Sequence, residues 1–305
     1  MTLVDAVTAD AGAGARFAPA KVNLALHVTG RRPDGYHELE SLAVFTRFGD
    51  RVEIASAHRD GMTVSGRYAA GVPTDENNLV VRAREALRRR FGSEATPPVS
   101  IALEKNLPVA SGIGGGSSDA AAALGALLDG WGLSLDEAEL SRIGLALGAD
   151  VPMCLAARPL VERGVGERLE RVPDFPSLGL VLVNPGGAVS TAEVFAGLER
   201  RDNGGLPPLP RVIDFHSLRG WLEATRNDLE PAARRLQPGI GEALAALTKA
   251  DAGFARMSGS GGTCFGLFET GNVAKRAAAA IRTRHPQWFV AATRTLPSGG
   301  EKHGA

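Results

Sequence analysis

The stretch Pro108-Val109-Ala110-Ser111-Gly112-Ile113-Gly114-Gly115-Gly116-Ser117-Ser118 decides how this chain is read. A strand pattern over 99–104 runs into it, and an alanine-rich helix pattern over 117–129 leaves it. Glycines permit left-handed dihedrals, so successive backbone N–H groups can converge on one point. A helix that starts at once adds its positive dipole end and its unsatisfied N–H groups. Ser117 and Ser118 add hydroxyls. This is the chemistry of a cradle for a polyanion. A flexible linker would not run directly into a helix start with paired serines. The loop is not a Walker A motif, because no Lys-Ser/Thr follows the glycines at the required position. Protein-kinase spacing is absent. The dinucleotide fingerprint fails at Ser117, where glycine or alanine is needed.

Upstream, Val22, Leu24, Leu26 and Val28 alternate, which predicts a half-buried strand over 21–29. Lys21 and Asn23 share its other face. A turn is expected at 31–35. Further strands are expected near 38–48, 51–55 and 62–65, and a helix over 78–91. Ser134 and Glu137 have the spacing of a capping box, and Gly148 can end the helix that follows. Pro152 biases Val151 away from helix. Downstream, strands are expected near 158–171, 178–184, 254–258, 263–268 and 288–295. Helices are expected near 190–199, 215–222, 228–236, 239–249 and 273–284. A Pro/Gly loop covers 201–210. Clustered strands and helices, with no internal repeat, predict an α+β architecture.

Three other places can carry chemistry. Lys21 opens the first strand, although a lone lysine there is commonly a solvated end. Asp150 follows Gly148-Ala149 on a turn, where capping is the bland alternative. His37 lies in Gly35-Tyr36-His37-Glu38, where a turn role is the bland alternative. A second glycine cluster, Ser258-Gly259-Ser260-Gly261-Gly262-Thr263, sits between two strands. It is read either as a hairpin turn or as a further backbone nest for phosphate. No His, Cys, Asp or Glu cluster has metal-site spacing.

The whole composition agrees with a folded enzyme. The 305 residues carry 34 basic and 34 acidic side chains and are 44% apolar. Neutrality argues against partners recruited by net charge, such as nucleic acid or a membrane surface. The basic set Arg82, Arg84, Arg88, Arg89 and Arg90 reads as a solvated helix face. Cys154 and Cys264 cannot make a disulfide framework, which fits a reducing compartment. Residues 1–15 resemble neither a secretory signal nor a transit peptide. No apolar run reaches membrane-spanning length. A cytoplasmic location is expected. Glycine, at 38 of 305 residues, exceeds the usual ~7%, and it is concentrated in the two clusters.

Taken together, these pieces resemble the GHMP kinase family: an early lysine, the 108–118 loop and a late glycine-rich loop. Narrower pieces are Ala18-Pro19-Ala20-Lys21-Val22-Asn23-Leu24, Thr29-Gly30-Arg31-Arg32-Pro33-Asp34-Gly35-Tyr36-His37, Leu147-Gly148-Ala149-Asp150-Val151-Pro152, Asn227-Asp228-Leu229-Glu230 and Met257-Ser258-Gly259-Ser260-Gly261. They point to family members that act on a cytidyl diphosphate alcohol in non-mevalonate isoprenoid biosynthesis. Ile113 stands where leucine is commoner in the family loop.

The resemblance implies a two-domain fold. An N-terminal ATP-binding α/β half would cover 16–172 and a C-terminal ferredoxin-like α+β half 173–297, with a cleft between and disordered tails at 1–15 and 298–305. It implies ATP and Mg²⁺ as cofactors, with the Mg²⁺ ligands unassigned. Pro108 to Ser118 would wrap the ATP phosphates, and Gly259, Ser260 and Gly261 would close the phosphate side. Asp150 would be the general base toward a 2-hydroxyl of the acceptor, with Lys21 keeping it ionised and steadying the developing alkoxide. Asn23 and His37 would hold the cytidyl group. Tyr36 and Phe195 would stack on cytosine, with Thr191 nearby. The implied partner is the small-molecule substrate, with neither nucleic acid nor membrane, and the state a monomer or homodimer. The rivals are another family kinase, of homoserine or mevalonate type, and a non-catalytic nucleotide-binding module.

Overall fold

The computed structural model describes residues 15–298. The expected tails lie outside these residues, except for their inner ends. Ala15 opens the first strand, and the Ser298 hydroxyl accepts the Phe175 N–H at 3.1 Å. The described residues form two compact units. One holds 15–20, 47–109 and 114–157; the other holds 21–46, 110–113 and 158–298. The expected boundary between 172 and 173 falls inside the second unit.

Strands β1 (Ala15–Arg31) and β2 (His37–Ser56) pair with each other and contribute residues to both units. The two short strands expected over 38–55 are one long strand. Gly49 is a place of close approach rather than a turn: a Cβ there would lie 2.1 Å from the Ala18 carbonyl oxygen. β1 is buried from Ala18 to Leu26 and on through Val28 on both faces, not on one. Its second face carries Lys21, Asn23 and His27, all buried. Asn23 and His27 are tolerated there because they find partners. Asn23 Nδ2 donates to Ser41 Oγ at 2.6 Å. His27 Nδ1 donates to Gly204 O at 2.9 Å, and its Nε2 accepts the Arg226 N–H at 3.2 Å.

In the first unit, β4 (Val99–Glu104) pairs antiparallel with the end of β2, and β3 (Gly61–Ser65) runs parallel to β4. Helices α1 (Leu79–Phe91), α2 (Gly115–Trp131), α3 (Glu137–Leu147) and α4 (Val151–Ala156) pack together, with α2 against α1 and α4. Asn78 caps α1 through its side chain, which accepts the Val80 N–H at 2.9 Å. The α3 cap is Asp136, not Ser134: its carboxylate accepts the Glu139 N–H at 2.7 Å. Val151 is helical despite Pro152, because the ring sits in the first turn, where an N–H has no intrahelical acceptor. The basic face of α1 is partly neutralised. Arg84 and Arg88 meet Asp60, and Arg90 meets Glu139.

In the second unit the start of β2 pairs with β5 (Leu160–Gly164), which forms a hairpin with β6 (Arg168–Arg171). Left-handed Gly164 and Gly166, at φ 75° and 107°, split the strand expected over 158–171. A four-stranded antiparallel sheet follows the order β10-β7-β9-β8, from β7 (Gly179–Asn184), β8 (Phe254–Met257), β9 (Cys264–Phe268) and β10 (Phe289–Arg294). Helices α8 (Gly239–Lys249) and α9 (Gly271–Arg284) cover it. Val181, Val183, Leu247, Phe268 and Ile281 lie in the core between them. The short helices α5 (Thr191–Ala196), α6 (Phe215–Glu223) and α7 (Glu230–Leu236) complete the unit. The mixture is α+β, as expected. Among the described residues, no helix is long and apolar enough to cross a membrane.

Candidate functional site

The first glycine loop has the backbone of a cradle. Ala110, Gly112 and Gly114 are left-handed, at φ 49°, 75° and 65°. Alternation between hands turns successive N–H groups to one side. Gly114 is the N-cap of α2 and has no side chain with which to cap it. The N–H groups of its first turn are therefore left for a ligand or solvent. Ser117 is half-buried. The Ser118 hydroxyl donates inward to Pro19 O at 2.7 Å, tying α2 to β1.

In the second unit, the middle of this loop meets the other glycine cluster. The Thr263 N–H donates to Ser111 O at 3.0 Å, and Ser258 Oγ donates to Gly112 O at 3.0 Å. A Cβ on Gly112 would lie 2.6 Å from the carbonyl oxygens of Ser258 and Gly261, and one on Gly259 would lie 2.7 Å from Gly112 O. Only glycine lets these two backbones come so close. The 258–263 segment is the connection of the β8–β9 hairpin, closed by the Ser258 N–H to Thr263 O bond at 2.9 Å. It holds three left-handed glycines, at 259, 261 and 262. The segment is therefore a hairpin connection. The Ser260 hydroxyl shares a 2.8 Å hydrogen bond with Thr191 Oγ1.

Lys21 and Asn23 lie beside this pair of loops. The Lys21 backbone N–H donates to Ile113 O at 2.9 Å, and the Asn23 N–H donates to Ser258 Oγ at 3.0 Å. The Asn23 Oδ1 atom is buried without a hydrogen-bond partner. His37 stacks on Phe195, with ring centroids 4.8 Å apart and planes 28° apart. His37 Nε2 is also buried and unpartnered. Burial and the nearby Arg31 and Arg201 hold the His37 ring below its ordinary pKa, which favours the neutral form. Tyr36 stands at the base of the turn, where its carbonyl accepts the Arg32 N–H at 2.8 Å, and is 68% exposed. Asp150 lies in the first unit, half-buried, at the N-terminus of α4. Its carboxylate does not cap that helix.

Two groups of residues were given no role from sequence. The first is Asn227 with its neighbours. Asn227 Nδ2 donates to the carbonyls of Met257 and Gly259, both at 2.9 Å, and its Oδ1 accepts the Leu229 N–H at 3.0 Å. Asp228 Oδ2 accepts the Val28 N–H at 2.7 Å, and Glu230 Oε2 accepts the Met257 N–H at 3.2 Å. The motif Asn227-Asp228-Leu229-Glu230 thus braces the second glycine loop and β1. The second group is Asp50, Lys105 and Asp119, all buried in the first unit. Lys105 Nζ bonds both Asp50 Oδ2 and Asp119 Oδ2, the latter at 2.7 Å. An aspartate inside an otherwise alanine-rich helix was the available signal.

Comparison with known proteins places the chain. A family model for the GHMP kinases N terminal domain matches residues 78–158, and one for GHMP kinases C terminal matches 211–287. A 4-diphosphocytidyl-2-C-methyl-D-erythritol kinase of Mesorhizobium japonicum is 71% identical over 292 residues, spanning 96% of this chain and 99% of the relative. The same-named kinase of a Chelativorans species is 54% identical, spanning 92% and 96%. A crystal structure of 4-(cytidine 5'-diphospho)-2C-methyl-D-erythritol kinase superposes with a TM-score of 0.74 at 35% identity, covering 94% of this chain and all of that one. The homoserine kinase of Cytophaga hutchinsonii shares the fold at TM-score 0.68 and 17% identity, covering 96% and 98%. The chain belongs to the GHMP kinase family.

Proposed function

We propose that this kinase transfers the γ-phosphoryl group of ATP to the 2-hydroxyl of 4-diphosphocytidyl-2-C-methyl-D-erythritol, a step of non-mevalonate isoprenoid biosynthesis. The observation that carries the acceptor's identity is the 71% identity to a kinase of that name, over nearly the whole of both chains. The geometry supports it. The stacked His37–Phe195 pair offers a ring face, and His37 Nε2 and Asn23 Oδ1 offer buried polar atoms that no protein group satisfies. A pyrimidine has the flat face and the hydrogen-bonding edge to use them.

Phosphoryl transfer asks mainly for positioning and charge neutralisation. In this reading the stretch from Pro108 to Ser118 wraps the nucleotide phosphates, holding them through the backbone N–H groups of its glycines, and Gly259, Ser260 and Gly261 close the same side. Thr191, bonded to Ser260, belongs to the substrate wall. Asp150 takes the proton of the acceptor hydroxyl, since an alcohol attacks poorly while it keeps that proton. The Lys21 ammonium steadies the developing alkoxide. Among the described residues, no group of three or more His, Cys, Asp or Glu is placed to hold a metal ion. A bound Mg²⁺ ion would neutralise phosphate charge.

The test is ADP release from Mg-ATP with the cytidyl alcohol, run beside homoserine, mevalonate and no acceptor. Turnover with the cytidyl alcohol alone is expected. Turnover with homoserine or mevalonate would replace the acceptor and remove the pyrimidine wall.

A further inference from the structure

The entry and the exit of the first glycine loop are joined by one buried ammonium. Asp50 Oδ1 accepts the N–H groups of Asn106 and Leu107, at 2.5 and 2.8 Å, just before Pro108. Asp119 is the fifth residue of α2, just after Ser118. Lys105 Nζ bonds Asp50 on one side and Asp119 on the other. Gly115, the first residue of α2, lies against the cluster: a Cβ there would be 3.4 Å from Lys105 Nζ and 3.6 Å from Asp50 Oδ2.

This cluster is a poor way to gain stability. Three ionisable groups are buried, with one ammonium between two carboxyl groups. Burial, aided by the charge of Asp50, pushes the Asp119 carboxyl up to about 8 against the pull of Lys105. Buried ion clusters are often no more stabilising than apolar residues of the same volume. Their worth lies in geometry. An eleven-residue loop with left-handed kinks has many alternative shapes, and holding its ends at a set spacing removes most of them. Small errors in ligand placement are expensive for catalysis.

We propose that Asp50, Lys105 and Asp119 form a clasp that sets the spacing between the two ends of the 108–118 loop, so that Lys105 and Asp119 act as positioning residues for nucleotide binding. The proposal rests on the reading of that loop as the nucleotide cradle.

The experiment combines ATP titration, acceptor kinetics, thermal unfolding and amide hydrogen exchange on Asp119→Leu, Asp119→Asn and Gly114→Val. Asp119→Leu cuts the tie while leaving Lys105 and Asp50 paired. It is expected to weaken ATP binding about tenfold and to speed exchange over 112–118. The acceptor KM and the unfolding midpoint should stay near wild type. Asp119→Asn keeps an acceptor for Lys105 and should bind ATP within about threefold of wild type. An ATP affinity within about twofold of wild type in Asp119→Leu, where tenfold is expected, overturns the proposal. So does a parallel loss of both substrates and of thermal stability, which would mark a general structural role. An Asp119→Asn chain as impaired as Asp119→Leu overturns it too, since charge and not the tie would then matter. Should Asp119→Leu not fold, Lys105→Arg replaces it. The wider guanidinium alters the spacing but keeps the charge, and unchanged ATP affinity overturns the proposal. Gly114→Val separates the layers. If it binds ATP normally, the loop is not the cradle and the proposal falls with that reading. If it fails to bind while Asp119→Leu binds normally, the clasp alone falls.

Discussion

His37 Nε2 and Asn23 Oδ1 are buried polar atoms with no protein partner, and each such atom costs about 1–3 kcal/mol unless something meets it. A bound pyrimidine would offset that cost. Tyr36, 68% exposed, has little to do for stability, so Tyr36→Ala isolates its role in binding. The expected result is a rise of about tenfold in the acceptor KM, the scale of one lost base–ring stack, with kcat and the unfolding midpoint unchanged. An unchanged KM removes Tyr36 from the pocket. Asp150→Ala and Lys21→Ala should each lower kcat by about 10²–10⁴-fold, with a cooperative unfolding transition retained. Steady-state kinetics check this, and a loss below about tenfold, short of that range, would sink the role of the residue concerned. Lys21 and Asp150 could be named from sequence only through their neighbours in a motif. Taken alone, a strand-end lysine and a turn aspartate are ordinary.

The hairpin loop 258–263 depends on side chains far from it in sequence. Asn227 spends three hydrogen bonds on backbone groups of 257, 259 and 229. Asn227→Ala would leave those groups without their side-chain partner and should cost about 2–4 kcal/mol. Urea unfolding measures it, and a cost below about 1 kcal/mol, the worth of a single ordinary hydrogen bond, would show that the brace is dispensable. Asn227→Asp should fare no better, because a carboxylate cannot donate to the two carbonyls. Local elements were largely legible. Apolar residues four apart marked α1, and a period of two marked β1 over 21–29. The failures had local causes. Asp136 outcompeted Ser134 as a cap, Pro152 fitted the first turn of α4, and Gly49 proved a contact where a break had been expected. The Asp50–Lys105–Asp119 cluster left only one trace, Asp119 in its alanine-rich helix, because its members are scattered in sequence and Asp50 and Lys105, alone, look solvated. The burial of both faces of β1 was hidden likewise, since it depends on loops from the distant 200s and 250s.

At the scale of the whole molecule, stability should depend on pH through His27. Its ring is neutral by construction, donating at Nδ1 and accepting at Nε2. Burial, the largest cause, lowers its pKa below the ordinary 6.5. The unfolded chain therefore binds a proton more readily than the folded one as the pH drops below 6.5. The stabilisation is complete above that value and is lost as the pH falls through the folded pKa. The thermal midpoint should fall between pH 7 and pH 5, and His27→Gln should reduce that fall. An identical pH profile in the variant would exclude His27 as a source. The α+β class followed from the element pattern. The packing into units did not, because each unit gathers three segments that alternate along the chain with those of the other.

That interleaving bears on synthesis. Ser111 and Gly112 take hydrogen bonds from Thr263 and Ser258, and β10, near the end of the described residues, closes the sheet through β7. On the ribosome, at about 5–20 residues per second, the first glycine loop waits on the order of ten seconds for its partner to be made. The nascent chain must carry an unfinished nucleotide cradle for that interval, open to chaperones and proteases alike. The kinase can gain its activity only once β10 has been made and has joined β7.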